Sequence, residues 1–431
     1  MNPLHITFAH NRYLIRGGED ESREQEMAYL RAQGHRVSEY VVDNRDVGKS
    51  SYLAAGLRSV WNRREHDRMR TFLRAERPEI LKVDNYFPLL SPAIFDAARA
   101  EGVATILSVR NYRLVCPAAT LYRDGSPCHD CVGHRFAMPA IRHSCYRDSS
   151  LQSAAVAASN AWAHLRGTWQ NSVDQYIAVS RFVKEQLIQG GFPADRISVK
   201  PNCIADSGPG DGAGNYAIFV GRLTAEKGVH VLLDAWRQIG SALPLKIIGE
   251  GPLEGTIRES AQQLPGVEYL GRRPISEVCD YLGRAAVLIF PSEWLEPFGR
   301  TIVEAYSKGT PVIAAGTLPM RDMIVPEVTG LLYAPGRAEA LAAAVHSLLA
   351  DPQRLQSMRV QARARYLRDY SVAKNYTAMM EIFSRVLSGH GRTGESSRRA
   401  AMPAELHTIH KEKGSIPLRS AVGGNGMRDQ V

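Results

Sequence analysis

The stretch Glu296-Pro297-Phe298-Gly299-Arg300-Thr301-Ile302-Val303-Glu304 sets two carboxylates eight residues apart, one in a loop and one about a turn into the helix that follows. Both can point at a ligand over that helix's amino end, where the backbone N–H groups of Phe298, Gly299 and Arg300 are placed to receive an anion. The same acids read equally well as ordinary helix-start carboxylates, which the helix dipole favours. Upstream, Val220-Gly221-Arg222-Leu223-Thr224-Ala225-Glu226-Lys227-Gly228 puts Arg222 and Lys227 in one strand-to-helix loop, where two cations can converge on one anionic group. A solvated turn with two separate charges is the alternative. Near the amino end, Arg16-Gly17-Gly18-Glu19 lets backbone approach a ligand closely, or makes a plain turn.

A second chemistry is written in sulfur. Four of the six cysteines fall as Cys116-x11-Cys128-x2-Cys131-x13-Cys145, a set able to supply four thiolates to a structural zinc; reduced thiols in a long loop are the alternative. Seven arginines between Leu57 and Arg77 interleave with Trp61, Met69, Phe72 and Leu73. Such a helix can dock on an anionic membrane, or simply cover a sheet with a solvated face. Two other signatures fail. Gly249-Glu250-Gly251 lacks the third glycine of the dinucleotide fingerprint, and Gly48-Lys49-Ser50 lacks the first glycine of a P-loop.

The elements that must position these groups alternate. Strands are expected at Leu4–Ala9, Arg36–Val42, Glu79–Val83, Ala104–Val109 and Gln175–Val179, with helices at Glu19–Gln33, Ser51–Arg77, Ser91–Glu101 and Leu151–Trp169. Residues 203–215 are rich in Gly, Asp and Pro and read as a linker. The alternation then restarts with strands at Tyr216–Val220, Leu245–Ile248, Val267–Leu270, Val287–Phe290 and Pro311–Ala314. Helices are expected from Gly228, Leu253 and Arg300, and at Ala338–Ala350, Pro352–Arg368 and Val372–Leu387. The expected architecture is α/β: two Rossmann-like domains, 1–203 and 216–371, facing each other across a cleft. Residues 372–388 form a helix packing back on the first domain, and 389–431 form a disordered tail.

Composition bounds the rest. At 431 residues the chain is long enough for two cores, and 44% hydrophobic with 23% charged residues is ordinary for a globular protein. No apolar run approaches the ~20 residues of a membrane span, and the amino terminus has no signal-peptide pattern. A cytoplasmic chain is expected, at most peripheral on the inner face of a membrane. The formal charge of +9 suits anionic partners. No helix-turn-helix or aromatic-basic platform accompanies it, so nucleic acid is not an expected partner.

Gly17-Gly18, the Gly221-Arg222 to Lys227-Gly228 loop and the E-x7-E element with P-F-G inside it occur in this order, with Gly309-Thr310-Pro311-Val312-Ile313 following. Together they resemble family 4 of the glycosyltransferases, retaining enzymes of the two-domain GT-B fold, over about residues 1–388. The resemblance implies a nucleotide-sugar donor and a glycan or lipid-linked glycan acceptor. It makes Arg222, Lys227 and Glu296 the reacting-centre residues. The two cations would hold the departing diphosphate, Glu296 the donor sugar and Glu304 the nucleotide ribose. Phe298, Gly299, Arg300 and Thr301 would bind phosphate or sugar oxygens, with Gly17 and Gly18 lining the opposite wall. No D-x-D occurs, so the cations are expected to replace a carboxylate-held metal, and no cofactor is required. Two departures stand out. Arg110 occupies the place where the family usually carries His before Asn111-Tyr112-Arg113, which offers Arg110 and Asn111 to a sugar or phosphate. Asp322 stands where a Glu is usual. Another enzyme of the fold, such as an epimerase or phosphorylase, and a catalytically silent sugar-nucleotide-binding partner are the rival readings.

Overall fold

The computed structural model describes residues 2–13, 17–45 and 52–400, and the side chains of all of these except 52–55 and 391–400. One compact unit extends to His390 and holds two parallel sheets of six strands each.

The first sheet contains β1 (His5–Arg12), β2 (Arg36–Asp43), β3 (Ile80–Asn85) and β4 (Ala104–Val109). A short antiparallel hairpin, β5 (Tyr122–Arg123) and β6 (Ser126–Pro127), interrupts the series before β7 (Gln175–Ala178) and β8 (Ile197–Val199) complete the sheet. Its order is β2-β1-β3-β4-β7-β8. Every residue of β3 and β4 is buried, as befits parallel strands covered by helices on both faces. The second sheet contains β9 (Ala217–Val220), β10 (Leu245–Ile248), β11 (Val267–Gly271), β12 (Val287–Phe290), β13 (Val312–Ala315) and β14 (Gly330–Tyr333), in the order β11-β10-β9-β12-β13-β14. Strand order reverses between β9 and β12, so their carboxyl ends splay apart and leave a crevice, the usual place for a ligand on an open α/β sheet.

Several expected boundaries move, each for a visible reason. The single helix expected over Ser51–Arg77 is two, Tyr52–Val60 and Arg63–Glu76. Asn62 breaks it: its side chain accepts from the Glu65 N–H and caps the second piece, while its own N–H donates to Ser91 Oγ at 2.9 Å. In that second helix Met69 and Leu73 are buried in the first lobe's core. Arg68 pairs with Glu65 at 2.9 Å, and Arg70 and Arg74 both pair with Glu101. Its apolar stripe is therefore spent on the fold, which removes this helix as the membrane-facing element.

The 203–215 segment is irregular but not loose. A Cβ on Gly210 would meet the Gly283 carbonyl oxygen at 2.1 Å, and Gly212 donates to that same oxygen. Glycine lets the segment lie flat on the second lobe. The carboxyl-terminal helix runs Val372–Ala400, beyond the boundary expected at 388. Its residues Met379, Met380, Ile382, Phe383 and Val386 share a core with Leu4, Ile6, Phe8, Ile80 and Ile106 of the first sheet. Of the expected tail, residues 389–400 are thus helical, and 401–431 lie outside the described residues, as do Arg16 and Gly48-Lys49-Ser50.

Candidate active site

Three loops of the second lobe are fastened together at the crevice by close backbone approach. Gly228 has a φ of 70°, and a Cβ there would lie 1.9 Å from the Pro291 carbonyl oxygen. That contact presses the loop after β9 against the loop after β12, and Glu293 N–H donates to Glu226 O at 3.0 Å to hold it. The loop after β10 joins in: Leu223 N–H donates to Glu250 O, and Gly249 meets the Gly221 carbonyl where no Cβ would fit.

This clamp sets Lys227 against Glu296. The ammonium forms an ion pair with Glu296 Oε1, the same oxygen that accepts from Ser292 Oγ at 2.9 Å. The ammonium also lies 5.2 Å from the centre of the Trp294 ring. Glu296 is 5% exposed. The pair is thus a largely desolvated cation and anion at the strand-order reversal, where charge interacts strongly. Arg222 stands apart. Its side chain is 67% exposed, and its guanidinium lies 3.7 Å from Glu226. Two cations share the loop as expected, but they do not converge: each faces a carboxylate of its own.

Sequence reasoning missed a further set. Thr224 Oγ1, Trp294 Nε1, Thr317 Oγ1 and Tyr333 OH are buried and have no hydrogen-bond partner among the described residues. They sit in the loops after β9, β12 and β13 and at the last residue of β14, all at the carboxyl edge of one sheet. Burying four polar atoms without partners is costly unless something arrives to satisfy them. A polar tip following each of successive buried strands was the available signal.

The helix Arg300–Ser307 brings the remaining expected residues together, with changed roles. Gly299 N–H points to Met323 Sδ at 3.3 Å and Arg300 N–H donates to Phe298 O at 3.0 Å, so two of the three amides expected to be bare are engaged. Thr301 is half-buried in the first turn, and Phe298 packs against the cores of both lobes. Arg300 Nε donates to Glu304 Oε1 at 2.9 Å, while Nη1 donates to Gly18 O at 3.0 Å and Ser22 Oγ at 3.2 Å, and Nη2 pairs with Glu21. Gly18 is where the expectation placed it, on the facing wall, and a Cβ there would crowd Arg300 Cδ at 3.3 Å. Gly17 is extended, with φ −136°, and its N–H donates to Asp20 Oδ2. Glu19, Asp20 and Glu21 fill the first turn of the Gly18–Ala32 helix, so this helix start repels an anion. A second tie crosses the crevice where the buried Tyr112 hydroxyl donates to Leu295 O at 2.8 Å. Burial, and then the charge of Glu296, hold that hydroxyl's pKa well above the ordinary value.

Arg110 belongs to the first lobe, and its Nη1 is buried without a hydrogen-bond partner among the described residues. It lines a small cavity with Asp84, Ser108, Asn111 and Arg113 at the carboxyl ends of β3 and β4. Its guanidinium lies 3.3 Å from Asp84 and 3.5 Å from Glu26, in a buried cluster where Lys82 and Lys200 also pair with Glu26. Asn111 turns back on its own loop, accepting from Arg113 N–H. Asp322 is exposed at the surface.

The four cysteines of the 116–145 insertion are reduced thiols. Cys131 is pushed up to about 12 by burial and by the neighbouring charges of Cys116, Cys145 and Cys128. Among the described residues no three His, Cys, Asp or Glu side chains are grouped so as to hold a metal ion. No step below depends on a metal at these cysteines.

Known proteins resemble this chain. Residues 24–207 match the family model described as Glycosyltransferase Family 4, and residues 206–365 match Glycosyl transferases group 1. The chain is 29% identical to a glycogen synthase of Mycobacterium tuberculosis over 198 residues, which is 44% of this chain and 46% of that protein. It is 30% identical to the D-rhamnosyltransferase WbpZ of Pseudomonas aeruginosa over 197 residues, 44% of this chain and 50% of the relative. It thus spans about half the length of these curated relatives. Among solved structures, Anabaena Alr3699/HepE in complex with UDP superposes with a TM-score of 0.64 at 16% identity, covering 89% of this chain and all of that one. Sucrose-phosphate synthase from Thermosynechococcus elongatus gives 0.64 at 16% identity over 90% of this chain and all of its own. With its two parallel-sheet lobes the chain has the GT-B fold of these solved structures, and each half in turn matches a glycosyltransferase family model.

Proposed function

We propose that the protein transfers a sugar, with retention of anomeric configuration and without a metal, from a nucleotide-sugar to a glycan or lipid-linked glycan acceptor in polysaccharide synthesis. One observation carries this reading: the Lys227–Glu296 pair stands at the β9/β12 crevice, and four buried polar atoms that lack partners among the described residues lie along the same sheet's carboxyl edge. A nucleotide-sugar diphosphate entering there gives the ammonium a second anion, and its hydroxyls and base give Thr224, Trp294, Thr317 and Tyr333 something to bond. The names of the relatives, a glycogen synthase and a D-rhamnosyltransferase among them, support sugar transfer as the class.

The chemistry follows from the fixed charges. As the bond from the anomeric carbon to the diphosphate oxygen lengthens, its electron pair moves onto the diphosphate. Lys227 neutralises that growing charge without reorganising, because Gly228 and the Glu296 pair already fix it. Arg222, free to swing from its exposed position, adds the second cation. The acceptor oxygen bonds to the anomeric carbon on the face the diphosphate leaves, and the acceptor's proton passes to a diphosphate oxygen. The products are the nucleoside diphosphate and the new glycoside, and no protein nucleophile is consumed. Glu296, still paired with Lys227 through Oε1, accepts from donor-sugar hydroxyls with Oε2.

The test is a panel of nucleotide-sugars scored for thermal stabilisation and slow hydrolysis, run on the wild type, Lys227→Ala and Glu296→Ala. Stabilisation by at least one donor, with turnover abolished by Lys227→Ala, is expected. Binding without turnover in the wild type, under any acceptor, would favour a silent sugar-nucleotide partner. A requirement for inorganic phosphate would favour a phosphorylase, and interconversion of donors without an acceptor an epimerase.

A further inference from the structure

The first lobe carries an apolar helix face that the fold leaves uncovered. In the helix Ser150–Leu165 the inner side, with Ser153, Val156, Ala157, Ser159, Asn160 and Ala163, is buried. The outer side is not polar. Leu151 is 66% exposed, Trp162 42% and Leu165 76%, with half-buried alanines at 154, 155 and 158 between them. These positions recur every three to four residues, so they form one stripe along about 21 Å of helix. The neighbouring helix Tyr52–Val60 packs alongside, Gly56 facing Ala155 and Ser159 Oγ donating to Ser59 O at 2.7 Å, and it adds Leu57 at 67% exposure. Phe136 and Met138, on the insertion whose helix Met138–Arg142 packs against the same helix through Ala140 and Ala157, are exposed as well. Six of the thirteen exposed large apolar side chains among the described residues belong to these neighbouring elements. Soluble surfaces rarely gather them so.

Charge decides what covers it. Neither helix contains a single acid. From Cys131 to Arg166 there are four arginines, 135, 142, 147 and 166, against one acid, Asp148, and of these Arg166 pairs with Asp96 at 3.4 Å. Arg58 and the 91%-exposed Arg63 follow Leu57 on the other flank. A second copy of this chain would bring the same basic rim against itself and be repelled. An anionic bilayer offers both parts at once: acyl chains for the leucines, the polar–apolar boundary for Trp162, and phosphate headgroups for the arginines.

We infer that the face formed by the helices Tyr52–Val60 and Ser150–Leu165 lies on an anionic lipid surface. This surface is distinct from the arginine-rich helix Arg63–Glu76, whose apolar side is buried. It holds the first lobe at the membrane independently of any donor.

The experiment is vesicle flotation of the full chain with phosphatidylcholine alone and with phosphatidylcholine mixed with phosphatidylglycerol. Binding to the mixed vesicles only is expected, falling as salt rises. Leu151→Glu with Leu165→Glu should weaken it at least about ten-fold, because two exposed leucines lose their burial in lipid. Arg142→Ser with Arg147→Ser should weaken it without touching the apolar stripe, which keeps the test informative if the leucine variant misfolds. Equal binding to both vesicle types, or binding unchanged in both variants, overturns the inference. So does a dimer in solution that the leucine variant dissociates, since the face would then belong to a second copy. Donor stabilisation measured on the same variants stays at wild-type level if the inference holds, so its failure and that of the glycosyltransfer reading are separately visible.

Discussion

Gly228→Ala is the smallest change that tests whether the crevice is built by backbone contact. A methyl at this position would start 1.9 Å from the Pro291 carbonyl oxygen, where real contacts of this kind stay beyond about 3.0 Å. The loops after β9 and β12 must therefore part by about 1 Å, and the residue must also keep a left-handed backbone, which costs a non-glycine residue about 1–2 kcal/mol. The displacement acts on Lys227, the preceding residue, and on Ser292 and Glu296 across from it, so their pairing is lost or lengthened. Misplacing a reacting-centre group by about 1 Å can cost about 10²-fold in turnover. The assay pairs calorimetric melting with donor hydrolysis. Melting should fall by about 2–4 °C for each kcal/mol lost in a domain of this size, and hydrolysis should fall by about two orders of magnitude. A variant that is destabilised yet hydrolyses donor within about three-fold of wild type would show that Lys227 does not need the clamp, and would refute the reasoning.

Two further outcomes concern the first lobe and its docked helix. Glu26→Gln leaves buried Lys82 and Arg110 with Asp84 as their remaining carboxylate and buried Lys200 with no carboxylate partner among the described residues, and should cost about 3–5 kcal/mol in urea unfolding. Burial alone would raise the Glu26 carboxyl, but Lys200, Lys82 and Arg110 outweigh it and hold the group well below the usual range. Its stabilisation is therefore present at neutral pH and lost as pH falls through the native value, so the variant should show a flatter acid arm than wild type. His390 behaves oppositely. The Asp174 carboxylate, 3.5 Å from its Nδ1, raises its pKa against the opposing effect of burial. The stabilisation it gives is full below about 6.5 and disappears as pH rises through the raised native value. Melting of wild type and His390→Gln should accordingly differ at pH 5.5 and converge at pH 9.

The alternation of the sheets was legible because parallel strands buried on both faces read as short apolar runs; Ala104–Val109, Leu245–Ile248 and Val287–Phe290 match the structure residue for residue. β8 and β14 escaped notice because Ile197-Ser198-Val199 and Gly330-Leu331-Leu332-Tyr333 are short, edge-side and flanked by no long apolar run. Spacing singled out Lys227, Glu296, Arg300 and Gly18, since motif glycines and charges are local facts, and the fold pairs Lys227 with Glu296 and Arg300 with Gly18. Spacing could not tell that Arg222 and Lys227 face different carboxylates, because that depends on the loop after β12, some 70 residues away. The ion pairs of Arg110 were out of reach for the same reason. Its partners Glu26 and Asp84 come from a helix and a strand far upstream, and only the fold turns the guanidinium inward. Thr224, Trp294, Thr317 and Tyr333 carry no motif at all; what marks them is an unmet hydrogen-bonding capacity that exists only once burial is known.

Arg300 has a consequence for the order of events. The same guanidinium neutralises Glu304 in one lobe and grips the Gly18 carbonyl, Ser22 and Glu21 in the other. A ribose seeking Glu304 must compete with a side chain whose far end is tethered across the gap. Unfastening the lobes and baring that carboxylate are thus a single movement, and under the proposed function the nucleotide's arrival and departure would share one gatekeeper.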